Sequence, residues 1–305
     1  MTWFWLAFLM ANAAAVGFYF ALGIGVRARR VAWVLCSCVI VVSPFWIPLD
    51  APDARALRFV SGVVAVTLLL KAYDAYRAPG VALQLGVGKW VAYLPNWFWF
   101  VVRRVPRGRD ARGDRRRAAL GAPLMVAAVA LCVGLLKLDW SGVPFALEHV
   151  AKVLTFGAAM LLIGQTFAAL YRRLVMPAMD PFDHPFLART PAEFWRRWNR
   201  GFRDFFDEHV FRALGGGRRP VVATLSVFAV SGIMHEYVFG VAIGRVQGWQ
   251  MLFFMVQGCA AAGTLRIRPR GGAAALWWAG TLAFNLVMAA IFFRSVDGVI
   301  GFYQR

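Results

Sequence analysis

One apolar stretch of the chain carries a histidine and a glutamate side by side: Ser231-Gly232-Ile233-Met234-His235-Glu236-Tyr237. Ionisable residues at that depth of a hydrophobic helix are costly and face a bundle interior or a water-filled cavity. Ser231 and His235 are four apart and share a helix face. Glu236 is rotated by about 100° from His235 and needs a partner of its own, an arginine or a backbone donor. Two uses of His235 stand open: an interhelical hydrogen bond, or proton transfer, for which a neutral imidazole is the commonest side chain.

A second concentration of unusual residues precedes this stretch. Asp180-Pro181-Phe182-Asp183-His184-Pro185-Phe186 is too proline-interrupted for regular helix. Thr190-Pro191-Ala192-Glu193 then reads as a capping box, with Thr190 as N-cap and Pro191 in the first turn. The helix it starts carries Phe194, Trp198, Phe202, Phe205 and His209 on one face and Arg196, Arg200, Arg203 and Asp207 on another. Such a helix can lie in the membrane interface, aromatic side down. Asn199 fits that picture poorly. At helical spacing it shares a side with Trp195, Phe202 and Phe206, and a buried amide requires partners.

The remaining histidines are weaker candidates. His149, beside Glu148, is expected to be solvated in a short loop; His184, in the proline-rich loop, has a shaping and a catalytic role equally open; His209, near the end of the interfacial helix, is expected on a polar face. No pair has metal-ligand spacing on one helix face, so no metal site is expected. Cys36, Cys38, Cys132 and Cys259 all fall in apolar stretches and read as packing residues. Gly215-Gly216-Gly217 lacks the Lys-Ser/Thr of a phosphate-binding loop and reads as a helix stop.

The elements that must position these residues are membrane helices. The chain has 305 residues, is 60% hydrophobic and only 16% charged, well below the roughly 25% charged of soluble domains. Apolar blocks run over approximately 3–25, 31–48, 57–72, 81–102, 118–137, 152–171, 221–243, 248–266 and 273–293. The first is too long for the apolar core of a signal peptide. Block 81–102 contains Gly86, Gly88, Lys89, Pro95 and Asn96 and reads as re-entrant or interfacial. About eight spans remain, in an all-α, polytopic bundle forming one domain over residues 1–305. The net charge of +19 lies mostly in short loops, with eight arginines against two aspartates in 103–117. Lys71 and Arg77 read as loop charges after the third block. The basic loops 27–30, 103–117, 172–220 and 267–270 then fall on one side, which the positive-inside rule assigns to the cytoplasm. No nucleic-acid partner is expected, because no soluble module presents a basic face.

Taken together, Phe194-Trp195-Arg196-Arg197-Trp198-Asn199 and the later Ser231-Gly232-Ile233-Met234-His235-Glu236 resemble the membrane-bound O-acyltransferase (MBOAT) family. The preceding Pro181-Phe182-Asp183-His184-Pro185 resembles its wax synthase branch. The motifs cover roughly 180–240. The resemblance implies that His235 is the catalytic histidine and Asn199 the second characteristic polar residue. Trp195, Trp198, Arg196, Arg197, Arg200, Ser231 and Glu236 are the expected substrate-binding set. Expected partners are acyl-CoA as co-substrate, a long-chain or other lipid alcohol, membrane lipids and, as one option, a second copy of the chain. No cofactor is required. His235 would take the proton from the acceptor hydroxyl, Asn199 would hold the thioester, and arginines including Arg203 would meet the CoA phosphates. Acylation of diacylglycerol, sterol, protein or polysaccharide competes within the family. Outside it, a proton-coupled transporter using His235 and Glu236 and a non-catalytic scaffold compete. Heavy Ala, Arg and Gly usage points to a GC-rich bacterium and its cytoplasmic membrane.

Overall fold

The computed structural model describes residues 1–51, 53–106 and 110–303; Pro52, residues 107–109 of the basic run and residues 304–305 lie outside the described residues. Within the described residues every regular element is helical. In chain order, α1 spans Thr2–Ala21, α2 Val26–Val42, α3 Ala54–Arg77, α4 Pro79–Gln84, α5 Gly86–Tyr93 and α6 Ala111–Lys137. There follow α7 Phe145–Leu174, α8 Pro191–Arg197, α9 Arg200–Phe206, α10 Pro220–Ile243, α11 Trp249–Thr264 and α12 Gly272–Ile300.

Seven segments are long and apolar enough to cross a bilayer: α1, α2 together with the 3-10 turn that continues it to Trp46, α3, α6, α7, α10 and α12. The chain is a multi-pass integral membrane protein, since lipid tolerates only segments that satisfy their own backbone. The eighth apolar block forms α11, which has only 16 residues. At about 24 Å it is shorter than the hydrocarbon core of roughly 30 Å. Gly232 and Gly258 let α10 and α11 approach closely. A Cβ at Gly232 would stand 3.0 Å from Met251 Sδ, and one at Gly258 2.7 Å from Phe228 Cβ.

Block 81–102 forms no spanning helix. It breaks at Gly86, whose φ of +72° favours glycine, into α4 and α5, and has no regular helix from Leu94 to Pro106. Leu94, Asn96 and residues 99–102 of that irregular segment are buried in protein, and α3 holds it. Lys71, expected as a loop charge, lies inside α3 and is fully buried. Its ammonium donates to the carbonyls of Tyr93, Asn96 and Trp99, each at 2.7 Å, and sits 3.8 Å from the Tyr93 ring centroid. The correction has a simple cause: α3 runs on to Arg77, so Lys71 stands within the helix, where it meets buried carbonyls, rather than in a loop after it. Asp74, one turn on and also fully buried, accepts from Val102 N at 2.6 Å. Toward the other end of α3, Arg58 donates to the carbonyls of Ile47 and Val241 at 2.7 and 3.1 Å.

Three of the basic loops, 103–117, 172–220 and 267–270, are in contact. Arg117 pairs with Asp180 at 3.0 Å, Arg172 with Asp114 at 2.7 Å, Arg104 with Glu208 at 2.6 Å, and Arg189 reaches the Pro269 carbonyl at 3.3 Å.

Replacing Lys71 by methionine strands three buried carbonyls, each worth about 1–3 kcal/mol. The expected result is a lower melting temperature in detergent and faster proteolysis between Leu94 and Pro106. Unchanged melting and cleavage would show that the ammonium does not hold this segment.

Candidate active site

The motif segment starts as its sequence requires. Thr190 Oγ1 accepts from Glu193 N at 3.2 Å, and Glu193 Oε2 accepts from Arg189 N at 2.7 Å, one residue earlier than in the ideal capping box. Helix α8 follows, but it ends at Arg197. The single amphipathic helix expected through His209 is interrupted. Trp198 is extended, and Asn199 is left-handed at φ 42°, ψ 64°, a region that asparagine enters more readily than other non-glycine residues. Two backbone bonds to the proline-rich loop lock the break: Asp183 N to Arg197 O at 2.9 Å and Arg200 N to Pro181 O at 2.8 Å.

The break redirects the aromatic face into protein. Phe194 stacks on Trp198 with centroids 5.5 Å apart, and Trp198 meets Phe182 at 4.8 Å. Phe202 packs on Phe100 at 4.3 Å. Phe205 and Phe206 are buried with Val66, Leu70 and Val238. His209, expected on a polar face, lies in a π-helical turn over Asp207–Phe211, and its Nε2 is 2.7 Å from the buried Asp74 Oδ1. His149, expected to be solvated, is buried in α7, between the Tyr303 hydroxyl at 2.6 Å and the Leu286 carbonyl at 2.8 Å. His184 is exposed, and its carbonyl accepts from Arg197.

His235 lies in α10, half-buried, in an aromatic setting. Its ring is 4.3 Å from Phe254 and 6.1 Å from Phe292. Nδ1 is 2.8 Å from the Ser231 carbonyl oxygen. A carbonyl only accepts, so Nδ1 carries the proton and Nε2 of the neutral ring carries the lone pair. Nε2 has no protein partner among the described residues.

Trp195 connects the two motifs. Its ring packs on Phe228 at 5.3 Å and on Phe254 at 5.9 Å, so Trp195 and His235 share Phe254 as a neighbour. Its Nε1 donates to Gln257 Oε1 at 2.9 Å, and Gln257 Nε2 donates to Asn285 Oδ1 at 3.0 Å. Gln250 ties the same two helices together by donating to the Phe292 carbonyl at 3.0 Å. Gln250, Gln257 and Asn285 were not singled out from the sequence. The signal was present: two glutamines seven apart in an apolar block occupy one face of α11.

The other expected site residues divide. Glu236 does not face His235. Its carboxylate accepts from the N–H groups of Gln247, Gly248, Gln250 and Met251, at 2.5–3.3 Å. This is the anion that the N-terminus of α11 favours, so the backbone-donor alternative holds. Ser231 is buried and contributes its carbonyl to His235. The Asn199 side chain is half-buried and makes no hydrogen bond among the described residues. Arg197 pairs with Glu193 at 2.6 Å, whereas the Arg200 main-chain N–H is the group that binds Pro181. Arg196 lies near Arg203 and Arg268: Arg203 donates to the Arg196 carbonyl at 2.9 Å. Partial burial, then repulsion from Arg268, lowers the Arg196 guanidinium below its ordinary pKa. Arg203 also pairs with Asp204 at 2.7 Å, and Arg268 donates to the Leu265 and Ile267 carbonyls, each at 2.8 Å.

Glu236→Ala leaves four N–H groups at the α10–α11 connection without their acceptor. The expected loss is about 2 kcal/mol or more, read as a lower unfolding midpoint, with Glu236→Gln intermediate. A fully stable Glu236→Ala protein would contradict the capping role.

The family model described as MBOAT, membrane-bound O-acyltransferase family, matches residues 120–293. The stretch includes the proline-rich loop, the Asn199 break and His235. Among similar proteins, Acyl-CoA–sterol O-acyltransferase 1 of Arabidopsis thaliana is 32% identical over 111 residues, 33% of this chain and 32% of that protein. Probable long-chain-alcohol O-fatty-acyltransferase 9 of Arabidopsis thaliana is 21% identical over 257 residues, 80% of this chain and 72% of that protein. The match thus spans about a third of the sterol enzyme's length and nearly three quarters of the long-chain-alcohol enzyme's. With more than half of its residues matched by the family model, and its histidine, asparagine and aromatic motifs inside the matched stretch, the chain belongs to the membrane-bound O-acyltransferase family.

Proposed function

We propose that the protein is a membrane-embedded O-acyltransferase that moves a fatty acyl group from acyl-CoA to the hydroxyl of a long-chain alcohol or similar lipid. The observation that carries the reading is the state of His235. Its Nδ1–H is held by the Ser231 carbonyl, and its Nε2 lone pair is free in an apolar, aromatic surround. A hydroxyl is a weak nucleophile until its proton is removed, and a positioned base contributes about 10²–10⁴-fold.

In this scheme Nε2 takes the hydroxyl proton as the alcohol oxygen attacks the thioester carbonyl. The Asn199 amide, unengaged by protein, donates to the carbonyl oxygen as it gains negative charge. Collapse breaks the carbon–sulfur bond, forms the ester and passes the proton from the imidazolium to the departing thiolate. The CoA phosphates take the Arg196, Arg203 and Arg268 cluster, where guanidinium forks suit phosphate; Arg197 and Arg200 stand in the same segment. Trp195 and Trp198 wall the thioester. No cofactor or metal enters these steps. The arginine-rich end of the bundle faces the cytoplasm under the positive-inside rule, and a bacterial cytoplasmic membrane is the setting we favour.

Sterol is the second acceptor class, supported by the stretch 32% identical to the sterol acyltransferase. The higher coverage of the long-chain-alcohol relative favours the linear alcohol. The proton-coupled transport reading loses support, because the Glu236 carboxylate is committed to α11 amides rather than to the His235 ring.

Purified His235→Ala is expected to lose about 10²–10⁴-fold in ester formation from labelled acyl-CoA and fatty alcohol, and Asn199→Ala roughly 10²–10³-fold. Both should elute and melt like the parent. Full activity in folded His235→Ala would remove the base from the scheme.

A further inference from the structure

A cavity of about 220 Å³ lies between α6, α7 and α12. Its walls include Val133 and Leu136 of α6, Phe156 and Ala159 of α7, and Ile300 and Phe302 at the end of the chain's last helix. It is half open to the outside of the bundle, and its lining is almost wholly apolar. The one cation on its wall, Lys152, is already engaged. Its ammonium donates to Glu148 at 2.6 Å and to the Phe302 carbonyl at 2.7 Å, and both side chains of that pair are buried. The wall therefore offers methylenes and aromatic rings, with no free charge for a headgroup. Helix α6 packs along α7, while α12 packs on α10, α11 and α7. The cavity occupies the gap that α6 and α12 leave between them.

A continuous run of ring contacts joins the wall of this pocket to the imidazole. Phe156 and Phe302, on its wall, meet Phe293 at 5.4 and 4.3 Å. Phe293 meets Phe292 at 5.7 Å, and Phe292 meets His235 at 6.1 Å. The other neighbour of His235, Phe254, leads instead to Trp195 and its arginine-bearing helix. His235 thus stands between two aromatic flanks, one leading through Phe254 and Trp195 toward the arginine-bearing helix and one through Phe292 and Phe293 toward the apolar pocket.

We propose that this chamber receives the alkyl tail of the acyl acceptor, whose hydroxyl reaches His235 past Phe292 and Phe293, and that Ala159 limits the length of tail accepted. The inference rests on the acyltransferase reading above. The donor's charged carrier requires the arginine approach, so the acceptor, which carries no charge, takes the uncharged one.

The test uses the full chain in detergent with two series: saturated primary alcohols of increasing length with one acyl-CoA, and acyl-CoAs of increasing length with one alcohol. Ala159→Phe fills the chamber, and Val133→Phe, at a more exposed wall position, does so with less risk to folding. Each is expected to lower kcat/KM for long relative to short alcohols by roughly tenfold or more, the scale on which an apolar pocket discriminates methylenes, with the acyl-CoA profile unchanged. An unchanged alcohol profile in folded variants, or a shifted acyl-CoA profile, would overturn the proposal. A fatty alcohol with a terminal diazirine gives a readout independent of turnover. Crosslinks to α6 or α7 in the parent protein, diminished in Ala159→Phe, support the assignment. Ester formation without such crosslinks refutes it. Crosslinks without ester formation would leave the chamber as an alkyl-chain site and defeat the acyltransferase reading alone.

Discussion

A hydrogen bond within a single turn of α10, from His235 Nδ1 to the Ser231 carbonyl at 2.8 Å, decides what this imidazole can do. A free imidazole exchanges its proton between two nitrogens. Here the carbonyl can only accept, so the proton is fixed on one nitrogen and the lone pair on the other. The bond is local, requires no second element, and comes from the four-residue spacing of Ser231 and His235. The neighbouring Glu236 does unrelated work. Its four backbone donors at the start of α11 fix how α11 returns against α10, and α11 supplies the Phe254 that lies against the ring.

The same demand for partners explains the irregular segments. A membrane protein keeps non-helical backbone only where protein shields it from lipid. Lys71 gathers the carbonyl of Tyr93 at the end of α5 and those of Asn96 and Trp99 after it, and Asp74 joins that segment to His209 of the motif region. Phe100 of the same segment packs on Phe202, and Trp97 and Phe100 lie against Gly201, two residues past Asn199. One face of α3 therefore supports the geometry of the motif through a short chain of contacts, although α3 itself contributes no group expected to touch substrate.

Much of this was legible in the sequence because lipid imposes simple rules. Long apolar blocks became helices, the Thr190 cap started a helix, and the glycine- and proline-bearing block 81–102 failed to span. What was hidden depends on tertiary partners. Helical spacing continues through Trp198 and Asn199, and nothing local announces that Pro181 and Asp183 will bond across a break there. His149 and His209 looked like surface residues because their partners, Tyr303 and Asp74, lie 154 and 135 residues away in the chain. Lys71 looked like a loop charge because the carbonyls that hold it belong to a segment with no helical signal. Gln257 and Asn285 were legible in principle as amides inside apolar blocks, and their pairing required knowing that α11 and α12 are neighbours.

The most direct measurement is nitrogen NMR of the protein with its histidines ¹⁵N-labelled, assigned by comparison with His235→Gln. At neutral pH the His235 ring should show a pyrrole-like, protonated Nδ1 and a pyridine-like, unprotonated Nε2. A ring with the proton on Nε2, or on both nitrogens, would have no lone pair on Nε2 to offer a hydroxyl and would contradict the assignment of Nε2 of His235 as the base.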